Sequence, residues 1–65
     1  MKKLVGTAYS KTTEITYQVR WDTTSYEVWI KEPKKPGWII VAKEAKSAER
    51  ALELAQKVVD DQNMY

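Results

Sequence analysis

The side chains of this 65-residue chain that could do chemistry are hydrogen-bond donors and aromatic rings, not proton shuttles or nucleophiles. Arg20, Trp29 and Lys31 sit at alternate positions of two extended runs, with Gln18 beside them. Lys34 and Lys35 follow in a loop bounded by prolines. Trp and Arg carry much of the energy of binding surfaces, and Lys and Arg hold phosphates. Histidine and cysteine are both absent. The usual general base, the usual nucleophile pairs and nearly all zinc chemistry are therefore missing. The remaining carboxylates would need a sheltered cleft to separate their pKa values. A chain this short buries only about 60% of its unfolded surface, and a drug-sized pocket of roughly 300–1,000 Å³ would hollow out its core. The residues point to a binding surface, with no enzyme activity, no cofactor and no metal expected.

Charge sharpens this. Eleven basic side chains against nine acidic ones give a net charge of +2, unevenly spread. Residues 1–43 hold eight basic and four acidic residues, net +4, whereas residues 44–65 hold three and five, net −2. The sheet part is mildly basic and the helix part mildly acidic, a weak electrostatic footprint. Without cysteine there are no disulfides, which a secreted domain of this size would usually need. The start, Met1-Lys2-Lys3-Leu4-Val5-Gly6-Thr7, resembles a signal peptide but lacks a sustained apolar run behind it. No stretch approaches the 18 or so apolar residues of a membrane span. The expectation is a cytoplasmic domain with no membrane partner.

The elements that must position the donors can be read from periodicity. Ser47 is a good N-cap, and Ala48 to about Asp60 continues with strong helix formers and no Gly or Pro. Ala48, Ala51, Leu52, Leu54, Ala55, Val58 and Val59 fall on one side of that helix, while Glu49, Arg50, Glu53, Gln56, Lys57, Asp60 and Asp61 take the solvent side. Glu53 and Lys57 make a favourable pair. Residues 60–65 read as a frayed helix end. Ile15 to Trp21 alternates as a strand, Asp22 to Ser25 is a four-residue turn, and Tyr26 to Lys31 alternates again. Pro33-Lys34-Lys35-Pro36-Gly37 breaks the chain, and Trp38 to Ala42 is continuously apolar, so its phase stays open.

Short connections predict an α+β domain: a three-stranded antiparallel β-meander over residues 14–43 packed against one C-terminal helix over 47–61, βββα in order. Residues 1–13 either add an edge strand, with Leu4 to Tyr9 as its centre, or stay loosely ordered. The helix covers the sheet face carrying Tyr17, Val19, Tyr26, Val28 and Ile30. The opposite face then presents Thr16, Gln18, Arg20, Glu27, Trp29 and Lys31. Trp29 stands among polar neighbours, either packing under the N-terminal segment or serving as an exposed anchor. Arg20 either joins Glu27 in a surface cluster or contacts phosphates and bases. Lys34 and Lys35 are either a solvated loop or a phosphate clamp whose affinity falls with salt.

Tyr17-Gln18-Val19-Arg20, then Tyr26 to Pro33, Gly37, an apolar strand and Ser47-Ala48-Glu49-Arg50-Ala51 resemble two related groups of sheet-plus-helix domains. One is the ethylene-response-factor DNA-binding domain of plants. The other is the arm-binding domain of phage and transposon integrases. The resemblance implies a sheet face in the major groove, with Gln18, Arg20 and Lys31 facing DNA. It departs at the third strand, where Ile39 and Val41 stand two and four residues after Gly37 in place of Arg and Trp. In that register Trp29, Ile39 and Val41 form an apolar centre rimmed by charge, which suits a protein partner or a homodimer. Tyr26-Glu27-Val28, Pro36-Gly37 and Glu49 to Leu54 also resemble antitoxins of the HicB family, with a longer turn-to-helix spacing here. Small phage proteins that inhibit host enzymes share the shape. Sequence thus leaves two readings, a DNA-binding sheet face and a protein-interaction patch around Trp29.

Overall fold

A computed structural model describes residues 1–62. Four strands form one antiparallel sheet in chain order: β1 (Lys2–Ser10), β2 (Ile15–Asp22), β3 (Val28–Lys31) and β4 (Ile39–Ala42). The helix α1 (Ala48–Gln62) lies on one face and touches all four strands, β1 most extensively. The expected α+β meander with a terminal helix is present, and the first ten residues supply its edge strand. Asn63, Met64 and Tyr65, read as part of a frayed end, lie outside the described residues. Asp60, Asp61 and Gln62 belong to α1.

Ser47 caps α1 as its type predicts: its Oγ accepts the Arg50 N–H at 3.1 Å. Ala51, Ala55 and Val59 on the helix meet Ala8, Val19, Trp21, Val28 and Ile30 on the sheet to form the core. Small alanines at the contact let the helix approach closely, and Gly6 serves the same end on β1. A Cβ built at Gly6 would stand 2.8 Å from Leu52 Cδ2. Ala45, in the link between β4 and α1, is buried and accepts the Trp21 indole N–H through its carbonyl at 2.7 Å. Gln56, which periodicity placed in solvent, instead closes the open edge of β1. Its Nε2 donates to the Tyr9 carbonyl at 2.8 Å and its Oε1 accepts the Tyr9 N–H at 3.1 Å. A side-chain amide thus occupies backbone groups that an edge strand would otherwise present to another chain. Glu53 pairs at 3.2 Å with Arg50, one turn before it, and not with the expected Lys57 one turn after it.

The β1–β2 and β2–β3 turns share one construction. In each, four residues are followed by one in left-handed conformation, Glu14 (φ 58°) and Tyr26 (φ 64°). The Glu14 N–H donates to the Ser10 carbonyl at 2.8 Å and the Tyr26 N–H to the Asp22 carbonyl at 2.9 Å. Ser10 Oγ accepts the Thr13 N–H, and Asp22 Oδ1 accepts the Thr24 and Ser25 N–H groups. This explains why β3 starts at Val28 and not at Tyr26. A left-handed residue cannot continue a ladder, and the Tyr26 carbonyl is taken by the Ala45 N–H.

The open sheet face as candidate interface

Alternation along β2 and β3 puts Val19, Trp21, Val28 and Ile30 under α1 and turns their neighbours the other way. Among the described residues no element covers that second face. Its centre is a row running across all four strands: Leu4 is paired with Arg20, Arg20 with Trp29, and Trp29 with Ile40. Directly paired residues point to the same side of a sheet, so these four side chains stand abreast. The next row places Thr7, Gln18 and Lys31 together.

Two cation–aromatic contacts cross the row diagonally. Lys2 Nζ lies 4.4 Å from the Trp29 ring centre, and the Arg20 guanidinium carbon lies 4.0 Å from that of Trp38. Such contacts contribute about 0.5–1 kcal/mol at exposed sites. They also draw two flexible cations over the rings of this face. Trp29, Trp38, Arg20 and Ile40 are half-buried by one another, and Leu4 is 59% exposed. The Trp29 indole N–H is buried by its neighbours and meets no acceptor among the described residues. An unmet donor of this kind costs about 1–3 kcal/mol.

Each expected site residue has a definite place. Arg20, Trp29, Lys31 and Gln18 share the open face, as alternation requires. Arg20 stacks on Trp38 and is paired in register with Trp29, while Glu27 accepts the Ser25 hydroxyl. Lys34 is exposed in the β3–β4 loop, and Lys35 beside it is bridged to Glu32 at 3.4 Å. Trp29 is half-buried, with the Lys2 side chain of the N-terminal strand 4.4 Å from its ring centre. Ile39 and Val41 do not stand beside Trp29 as expected. The residue abreast of Trp29 is Ile40, because an irregularity between Val28 and Trp29 shifts the β4 register. Ile39 pairs with the core residue Ile30 and Val41 packs toward the core.

Sequence reading missed Lys2, Leu4, Trp38 and Ile40. The spacing of two between Trp38 and Ile40 was a usable signal, but nothing local fixed which side it faced. For Lys2 and Leu4 the alternation is broken by a bulge between Leu4 and Gly6.

At the end of the sheet the Met1 ammonium sits 2.9 Å from Asp22 Oδ1. That contact, followed by the Thr24 and Ser25 N–H groups, lowers the Asp22 pKa from 3.8 to about 2. Asp22 is thereby occupied within the turn. Lys2, Arg20 and Lys31 remain as the cations along the open face. Among the described residues no group of three or more acidic side chains is placed to hold a metal ion, and no helix is long and apolar enough to cross a membrane. No protein-family model, curated protein or solved structure matches the chain.

Proposed function

We propose that this domain binds DNA through its open sheet face. The reading rests on one observation, the row Leu4–Arg20–Trp29–Ile40 with Lys2 and Arg20 held on tryptophan rings on a face that no element covers. Gln18, Lys31 and the exposed Lys34 extend this surface toward the β3–β4 loop, with Lys35 as a weaker contributor because Glu32 already engages it. Gel-shift titration at two salt concentrations tests it. Only a handful of phosphates can be neutralised, so binding should be weak at low salt and fall with a shallow slope. Arg20→Ala should reduce the shift, and absence of a shift at low salt removes the proposal.

The second reading is a protein-interaction surface, serving an inhibitor, an antitoxin-like subunit or a homodimer. Leu4 at 59% exposure on the face and Ile39 at 56% on the β4 edge favour it. With the register observed, its centre is Trp29 with Ile40, whereas Ile39 pairs with Ile30 and Val41 packs toward the core. Sedimentation equilibrium separates the two: a concentration-dependent dimer lost in Trp29→Ala, with no DNA shift, selects the protein reading.

A further inference from the structure

We infer that the DNA taken up by this face is single-stranded, its bases stacked on the tryptophan rings and its phosphates on Lys2, Arg20 and Lys31. The inference rests on the DNA-binding reading above and deepens it. It starts from width. At the level of Arg20 the sheet is four strands across. Three spacings of about 4.8 Å put the axes of the outer strands roughly 14 Å apart, whereas the major groove of B-DNA is about 12 Å wide and admits a helix or a two-stranded ribbon. A three-stranded meander would span only about 10 Å between outer axes. The edge strand β1 is what makes the face too broad to enter the groove flat.

The chemistry of the face agrees. Reading a duplex needs polar side chains that project to base edges. Here the row presents an indole, two aliphatic side chains and a guanidinium whose carbon lies 4.0 Å from the centre of a second indole. Flat rings flanked by cations suit unpaired bases, since every base has a face that can stack on an aromatic side chain. Lys2 is a single flexible side chain over Trp29, so a base can take its place on the ring while the ammonium moves to a phosphate.

The test is titration of the full chain at low salt with five labelled probes of about a dozen nucleotides, followed by anisotropy and by tryptophan emission. The probes are oligothymidylate, the same backbone without bases, a mixed single strand, its duplex, and the matching RNA strand. Trp21 is buried in the core, so quenching reports Trp29 and Trp38. The expected result is binding of single strands roughly ten-fold or more tighter than duplex or abasic backbone, with quenching. Trp29→Leu should lose about ten-fold in affinity and Trp29→Phe much less, because phenylalanine keeps a ring. Duplex binding equal to or tighter than single-strand binding overturns the inference and leaves the DNA-binding reading standing. Equal binding of the abasic backbone overturns the stacking, and tighter RNA binding overturns the assignment to DNA. Failure of all five probes to bind removes the DNA-binding reading itself.

Discussion

The two faces of one sheet, only one side chain apart along each strand, are made of different matter. Under α1, Val19, Val28 and Ile30 are sealed among alanines and Val59. On the other side Arg20, Trp29 and Lys31 alternate with them, half-buried against each other and against Lys2 and Trp38. The first face is aliphatic and close-packed, so each methylene removed leaves a void. The second is built from rings and long cationic stems that cover one another, the stems keeping their charged ends in water. A domain this small can place its stability on one face and leave the other to a partner only if the two are energetically separable.

Ile30→Ala and Trp29→Leu test that separation most directly. Ile30→Ala should destabilise by about 2–5 kcal/mol in denaturant unfolding. That is a large share of the roughly 5 kcal/mol expected of a domain near the lower limit of size. Its neighbour Trp29→Leu should cost about 1 kcal/mol. Equal losses would mean that the open face is a second core and not a binding surface. Gly6→Ala comes next, at about 1–2 kcal/mol, because Leu52 must give way to the added methyl where α1 crosses β1. A thermal melt unchanged by this substitution would show that the helix sits less tightly on the edge strand than the contact implies. Ser47→Ala should cost about 1 kcal/mol by freeing the Arg50 N–H at the helix start. Its effect on DNA affinity should be nil, since the cap is remote from the row.

The smallest effect concerns acid. The Asp22 pKa is lower in the folded chain than its ordinary value of 3.8. Its contribution is therefore fully present above that value and lost as pH falls from about 4 towards about 2. Asp22→Asn should lower stability near neutrality, and the gap from the parent should close across that window. A gap that persisted at pH 2 would assign the effect to the turn hydrogen bonds and not to the charge.

Much of the covered face was legible in the residues. Ser47 and the spacing of Ala51, Ala55 and Val59 specify a capped amphipathic helix. The alternation from Ile15 to Trp21 and from Tyr26 to Lys31 assigns side chains to sides, and so assembles Gln18, Arg20, Trp29 and Lys31 without any knowledge of contacts, although left-handed Tyr26 lies outside the strand. Gln56 was assigned to solvent because periodicity has no means of seeing a strand edge beside the helix.

What periodicity settles is local, since each side chain's direction follows from its neighbours along the chain. A single extra residue in a strand reverses that direction for everything beyond it. Both outer strands contain such an irregularity, near Val5 in β1 and at the Val28–Trp29 step opposite β4. The places of Leu4, Trp38 and Ile40 were consequently decided only when β1 and β4 paired with the strands inside them. The same pairing set the breadth of the open face, because strand count across a row is a property of the assembled sheet and of no single segment within it.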